Sequence, residues 1–266
     1  MVVMPAILPE RNEPRPTDLC AVVLAAGEGV GLRPLTRLRP KPLCPVANEA
    51  LLDLALSRAR QVTDAVAVNA HHGRAMVEAH LGDRAHLSVE EGEALGTAGA
   101  LAHLRGWIDG RDVLVLNADC WAPGPLAPFA AGWDRERVRL LVAGDDRLRP
   151  PERPANLLAG SFMPWAEVAR LEPVPSGLWE TSWRHRQAEG RIDVARWDGP
   201  CIDCGTPARY LAANLAAGGG EPVVGEGAVV EGKLERAVVW PGARVRAGEV
   251  LVDAIRADDS VTVLVR

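Results

Sequence analysis

The residues best able to do chemistry in this chain lie in three short stretches. The first is Gly27-Glu28-Gly29-Val30-Gly31, with Arg39-Pro40-Lys41-Pro42 close behind. Three glycines in five residues let backbone N–H groups converge on an anion with no Cβ in the way. Lys41 and Lys233 are the only lysines among thirty basic residues; the rest are arginine. A lysine kept against that background is either a position that needs a compact ammonium or a chance survivor. The second stretch, Leu114-Val115-Leu116-Asn117-Ala118-Asp119, ends an apolar run on a carboxylate. An acid there is costly unless it faces a cavity or a metal; a helix cap or loop aspartate is the plainer alternative. The third is Cys201-Ile202-Asp203-Cys204-Gly205-Thr206-Pro207. Its C-x-x-C spacing invites a zinc or redox reading. That reading fails, because residues three apart on a strand face opposite ways and no second Cys or His pair lies at ligand spacing. His71-His72 reads as a solvated loop pair.

The elements that must position these residues follow from periodicity. Cys20–Ala26, Ala65–Ala70, His86–Glu90, Asp112–Leu116 and Arg137–Ala143 are short apolar runs that predict strands. Leu51–Gln61, Arg74–Leu81, Gly99–Trp107 and Leu126–Trp133 carry apolar residues at helical spacing. Their alternation predicts an α/β sandwich with a mainly parallel sheet, whose ligands bind beyond the carboxyl ends of the strands. After a proline-rich break at Arg147–Pro154, Leu157–Met163 predicts a strand, and Trp165–Leu171 and Leu178–Gln187 predict helices. Asp193–Trp197 and Pro200–Cys204 predict a strand-like pair, and Pro207–Ala217 a helix with proline in its first turn. The glycine pattern after the first strand does not match a dinucleotide fingerprint, because Pro34, Pro40 and Pro42 forbid the regular helix it needs.

From Val223 the texture changes. Val223, Val229, Val239, Val245 and Leu251 fall on a six-residue grid with one four-residue slip, and Gly225, Gly227, Gly232, Gly242 and Gly248 supply turns. This predicts a short parallel β-helix, with a β-meander as the alternative. About two coils cannot stand alone, so the piece is expected to pack on the main domain or on another subunit as a homo-oligomer contact. The expected division is a disordered leader over 1–18, a main domain over 19–217 and the β-helix over 222–266.

Composition narrows the function class. The 266 residues, 48% hydrophobic, suffice for a full core, and the net charge of −5 comes with no basic stripe. A nucleic-acid polymer is therefore not an expected partner, whereas a small anion in a local pocket is. Five cysteines, an odd number, predict free thiols in a reducing, cytoplasmic compartment. No apolar run approaches the roughly 18–20 residues that span a bilayer.

The stretch from Leu24 to Val46 resembles the signature loop of the sugar-phosphate nucleotidyltransferases, L-A-A-G-x-G-…-L-R-P-L-T-x-x-x-P-K-P-L-x-P-V. Leu95-Gly96-Thr97-Ala98-Gly99-Ala100-Leu101, preceded by Glu90-Glu91, resembles the base-recognition segment of that family, and read alone would equally be a helix start with small packing residues. Asn117-Ala118-Asp119 resembles its N-G-D, and Cys201–Pro207 its W-x-D-V-G-T-P. The resemblance implies the nucleotide-diphospho-sugar transferase fold, a Rossmann-like three-layer α/β sandwich with a mainly parallel mixed sheet. It implies that Leu24, Ala25, Ala26, Gly27, Gly29, Glu91, Gly96 and Thr97 bind a nucleoside triphosphate, and that Lys41 contacts phosphates. It also implies that Asp119 and Asp203 hold Mg²⁺. The C-terminal piece, with Val238-Val239-Trp240-Pro241-Gly242, resembles the short left-handed β-helix of bacterial mannose-1-phosphate guanylyltransferases. The expected reaction joins a nucleoside monophosphate to a sugar 1-phosphate, with GTP and mannose 1-phosphate or a related hexose phosphate as the first choice.

Two features depart from the family pattern. Its loop arginine, which clamps the β- and γ-phosphates, is replaced by Val30-Gly31, a loss worth about 10²–10³ in rate by analogy with one oxyanion donor. Arg33 is the first candidate to replace it, then Arg37 and Arg39; otherwise the chain is a weakened, regulatory nucleotide-sugar binder. Arg147–Pro154 does not reproduce the E-K-P segment many relatives carry around the sugar, as compact N-acetylmuramate-phosphate uridylyltransferases also do not. Gly160 and Glu180 are the sugar candidates, with packing or surface roles as the alternative.

Overall fold

A computed structural model describes residues 18–144 and 158–265. The expected leader up to Thr17 and the break Arg147–Pro154 lie outside the described residues. The first half runs β1 (Leu19–Leu24), β2 (Pro45–Val46), β3 (Glu49–Ala50), α1 (Leu51–Ala59), β4 (Val66–Ala70), α2 (Arg74–Leu81), β5 (His86–Val89), α3 (Gly96–His103), α4 (Arg105–Ile108) and β6 (Asp112–Asn117). The second half runs β7 (Cys120–Trp121), α5 (Ala127–Ala131), β8 (Val138–Ala143), β9 (Leu158–Met163), α6 (Trp165–Val168), α7 (Arg184–Ala188), β10 (Ile192–Trp197), β11 (Ile202–Asp203) and α8 (Pro207–Ala217).

Seven strands form one sheet in the order β10-β8-β9-β6-β1-β4-β5. Only β9 runs against its neighbours β6 and β8; the other pairs are parallel. Because β1 is buried on both faces, its residues alternate between two cores. Leu19, Ala21 and Val23 pack with Leu52, Leu56 and Val77 of α1 and α2. Cys20 and Val22 pack with Leu101 and Ile108 of α3 and α4 on the other side. The three-layer sandwich follows directly. β1 pairs with both β4 and β6, so the chain builds outward on one side and returns on the other. The crevice at such a switch point lies at the carboxyl ends of β1 and β6.

Three sequence expectations are corrected. The helix expected over Gly99–Trp107 starts earlier, at Gly96, and is divided at Leu104 into α3 and α4. The helix expected over Leu178–Gln187 opens with a π turn at Trp179–Trp183 before α7. Asp193–Trp197 and Pro200–Cys204 do not pair with each other. β10 extends the main sheet beside β8, whereas β11 pairs antiparallel with β7, placing Asp203 opposite Cys120. Local pattern recognises two extended segments but not which partner each finds.

The C-terminal segment contains β12 (Val223–Val224), β13 (Val229–Val230), β14 (Lys233–Val239), β15 (Arg244–Val245), β16 (Val250–Arg256) and β17 (Thr262–Leu264). Parallel pairing sets Val223 opposite Val238, Val229 opposite Arg244 and Lys233 opposite Val250, whereas β17 returns antiparallel to β16. Of the six-residue grid, Val223, Val239, Val245 and Leu251 are buried and Val229 is exposed. The segment does not stand apart. Val238, Trp240 and Ile255 share one core with Leu32, Leu35 and Cys44 of the glycine-rich loop region and with Tyr210 and Leu211 of α8.

Candidate active site

The loop after β1 is held by its apolar residues rather than by a helix. Its prolines break it into three single 3-10 turns, Val30–Leu32, Leu35–Arg37 and Lys41–Leu43. Leu32 and Leu35 are fully buried, and the Thr36 hydroxyl donates to the Gly29 carbonyl at 3.0 Å. Gly29 has φ 67°, and a Cβ there would lie 3.0 Å from the Lys41 Cβ, so the loop closes back onto Lys41. The N–H groups of Gly27, Glu28 and Gly29 donate no hydrogen bond among the described residues. Such a run of free amides has the donors to hold an anion.

Lys41 reaches the two aspartates. Its Nζ donates to Asp119 Oδ2 at 2.7 Å and lies 3.5 Å from Asp203 Oδ1. Asp119 follows β6, where the Ala118 N–H donates to the Leu24 carbonyl at 2.9 Å and ties the end of β6 to the end of β1. Asp203 arrives through the β7–β11 ladder, closed by the Cys204 N–H on the Asp119 carbonyl at 2.9 Å. Burial alone would lower the Lys41 pKa, but the Asp119 charge and hydrogen bond, then Asp203, outweigh it and hold it above its ordinary value. Lys41 is therefore a cation at neutral pH. Its side chain is 9% exposed, against 43% and 35% for Asp119 and Asp203, so both carboxylates keep an open side.

A cleft of about 300 Å³ opens beside this cluster, lined by Leu24, Ala26, Gly27, Asn69, Gly96, Thr97, Asn117 and Asp119 among others. A second lobe of about 190 Å³ shares Leu24, Thr97 and Asn117 with it and is closed by Trp179, Glu180 and Trp183. The Trp183 indole N–H is buried with no hydrogen-bond partner among the described residues. A larger hollow of about 380 Å³ between Glu167 and His185 contains none of these motif residues, and its wall is spanned by the Arg186–Glu167 ion pair.

Several expected residues are placed differently. Glu91 is exposed and lines neither lobe. Its neighbour Glu90 is buried instead, accepting from Asn69 Nδ2 at 2.6 Å and from the Leu95 N–H at 2.8 Å, while Asn69 Oδ1 accepts from the Ala25 N–H at 2.7 Å. This chain of bonds fixes the rear wall of the cleft. Gly96 does line the cleft, but its Cα face is filled: a Cβ there would meet the Ser176 carbonyl at 2.5 Å. Thr97 accepts from the Leu178 N–H at 2.8 Å, which attaches α3 to the segment bearing the tryptophans. Gly160 lines neither lobe; a Cβ there would press on Leu116 at 2.8 Å, so the glycine allows β9 to pack beside β6. Arg33 is turned outward to Glu28, Arg37 is exposed, and Arg39 lies 4.5 Å over the Trp240 ring. None of the three contacts Asp119 or Asp203. The arginine that does is Arg209, whose Nη1 donates to Asp203 Oδ2 at 3.0 Å. It lies in the first turn of α8, six residues from Asp203, and nothing in its local pattern marks it.

Gly31 has a structural cause. A Cβ at this position would sit 2.5 Å from the Gly205 carbonyl oxygen. The loop and the Asp203–Thr206 turn are in backbone contact there, and a side chain at 31 would force them apart.

The Nucleotidyl transferase family model matches residues 20–138. An N-acetylmuramate alpha-1-phosphate uridylyltransferase of Caulobacter vibrioides is 41% identical over 230 residues, which is 73% of this chain and 95% of that protein. The chain belongs to the sugar-1-phosphate nucleotidyltransferase family. It is a nucleotidyltransferase enzyme, as that family relationship shows. A mannose-1-phosphate guanylyltransferase of Mycobacterium tuberculosis is 27% identical over 297 residues, 87% of this chain and 82% of that protein. Among solved structures, one from Thermus thermophilus, described as a mannose-1-phosphate geranyltransferase, superposes with a TM-score of 0.66. It covers 93% of this chain and 95% of its own at 20% identity, a likeness of fold. Among the described residues no helix is long and apolar enough to cross a membrane.

Proposed function

We propose that this nucleotidyltransferase joins a nucleoside monophosphate, taken from a nucleoside triphosphate, to a sugar 1-phosphate and releases pyrophosphate. The observation that carries the proposal is Lys41 held between Asp119 and Asp203 where the free amides of Gly27–Gly29 meet the cleft. The nucleoside lies in the lobe lined by Leu24, Ala26, Asn69 and Gly96. The sugar lies in the lobe closed by Trp179, Glu180 and Trp183, where the unpaired indole N–H and the Asn117 amide supply hydrogen bonds. A sugar phosphate oxygen attacks the α-phosphorus, and the bond from that phosphorus to the bridging β-oxygen breaks. The nucleophile is already ionised near neutral pH, so no general base is required. Lys41 neutralises charge at the α-phosphate, and the loop amides receive the departing pyrophosphate; rate comes from position and electrostatics.

The donor set at the cluster fits magnesium. Two hard carboxylates, each with an open side, would suit Mg²⁺, which is commonly bound through one or two carboxylates together with substrate phosphates and water. Asp119 and Asp203 would hold it, and when bound it would align and polarise the phosphate oxygens.

Uridylyl transfer is the first reading for the base, supported by the higher identity to the Caulobacter protein over nearly its whole length. It is also supported by Glu90, which is buried, accepts from Asn69 and Leu95 and lines neither lobe, so it does not face the donor edge of a guanine there. Guanylyl transfer to mannose 1-phosphate is the second reading, supported by the Mycobacterium alignment, which covers more of this chain. The test is pyrophosphate release from UTP and GTP with N-acetylmuramate, mannose and glucose 1-phosphates. Activity is expected with at least one pair and lost in Asp119→Ala and Asp203→Ala. A wild type silent on every pair while still binding nucleotide would leave only the regulatory-binder reading that Gly31 suggests.

A further inference from the structure

The reaction proposed above must stabilise the charge that gathers on the pyrophosphate half of the triphosphate, and Lys41 is the only buried cation among the described residues at the cluster. We propose that Arg209 is the second cation, binding the β- and γ-phosphates from the first turn of α8; the inference rests on the nucleotidyl-transfer reading for where those phosphates lie.

Four contacts converge on this position. The backbone of Gly31 meets the Gly205 carbonyl, so the cradle loop is closed on the turn that leads into α8. The Asp203 carboxylate folds over Gly205, with Oδ1 2.8 Å from where a Gly205 Cβ would be. Thr206 caps α8 by accepting from the Arg209 N–H at 3.3 Å, which fixes the Arg209 backbone one turn from that contact. The Arg209 guanidinium then reaches Asp203 Oδ2 at 3.0 Å through Nη1 alone. Its Nε and Nη2 make no hydrogen bond among the described residues, and its side chain is 47% exposed. A planar fork with spare donors, anchored at one nitrogen on Asp203, suits a phosphate pair. The other arginines of the loop are engaged with Glu28 or Trp240, or point to solvent. The contact that bars any side chain from position 31 also holds the turn that leads into α8, where Arg209 lies, against the loop.

The test is calorimetric titration of inorganic pyrophosphate, and of UTP, UMP, GTP and GMP, into wild type, Arg209→Ala, Arg209→Lys and Arg196→Ala. Arg196 is an exposed control whose one ion pair among the described residues is with Asp198. Titrations run with a chelator and again with magnesium chloride, beside kcat and KM for the active pair. In Arg209→Ala, pyrophosphate and triphosphate affinity should fall about tenfold or more in chelator while monophosphate affinity holds, with kcat down about 10²–10³. Arg209→Lys should recover part of both, and Arg196→Ala should match wild type. Unchanged pyrophosphate affinity in Arg209→Ala overturns the proposal. So does an equal loss for mono- and triphosphate, the mark of a side chain that only props Asp203. A wild type that binds pyrophosphate through Arg209 yet turns over no pair rejects the transferase reading and keeps this one. A turnover indifferent to Arg209 does the reverse.

Discussion

Lys41 shows how one residue type is selected by its surroundings. Its ammonium, a compact point charge, sits nearly buried between two carboxylates. The carboxylates raise its pKa above the ordinary 10.5 despite burial. The sign follows: stability from this pairing is fully present below the unfolded-state pKa and is lost as pH rises through the higher folded value. The stability gap between wild type and Lys41→Met, measured by denaturation across pH, should stay constant to about pH 10 and narrow only above it. A gap that closes below about pH 9 would mean that burial dominates and the ammonium is depressed instead.

Between elements, the decisive meeting is that of the glycine-rich loop with the turn before α8. Their contact is backbone to backbone at Gly31 and Gly205, and neither side can yield like a flexible side chain. Gly31→Ala adds one methyl group at 2.5 Å from a carbonyl oxygen, and the loop must move by several tenths of an ångström to admit it. The expected result is a fall in kcat of at least about tenfold, since small misplacements at a reaction centre carry costs of that order or more. Restoring an arginine at 31 is expected to lower activity for the same reason. A Gly31→Ala enzyme with wild-type kcat would show that the loop tolerates displacement.

On the scale of the whole molecule, the C-terminal strands buttress the glycine-rich loop. Trp240 is 1% exposed and donates its indole N–H to the Tyr210 hydroxyl at 2.9 Å; Tyr210 in turn donates to the Pro45 carbonyl, and Arg39 stacks on the same indole. One side chain thus joins the C-terminal strands, α8 and the loop. Trp240→Ala should destabilise the protein by about 3–5 kcal/mol, read from chemical denaturation. It should also raise KM for the triphosphate, because the loop loses its support. A variant with wild-type stability would mean that the C-terminal segment folds independently of the loop.

Much of this was legible in the sequence. Strands β1, β4, β5, β6, β8 and β9 and helices α2 and α8 follow from short-range periodicity, because a segment buried on both faces or on one stripe must carry its pattern locally. Lys41 was legible as one of two lysines in the signature loop, Asp119 as a carboxylate ending an apolar run, and Asp203 through its motif's resemblance to the family's. What the tertiary structure alone decided is every relation between distant segments. It paired β11 with β7 rather than with β10, turned Glu90 inward and Glu91 outward, made Gly160 a packing residue, turned Arg33 to Glu28 and brought Arg209 to Asp203. Such choices depend on which surfaces meet after the sheet has closed, and a pattern confined to a few neighbouring residues carries no record of that. Gly31 belongs to both levels: its identity is visible in the sequence, and its cause, a carbonyl from residue 205, is visible only in the fold.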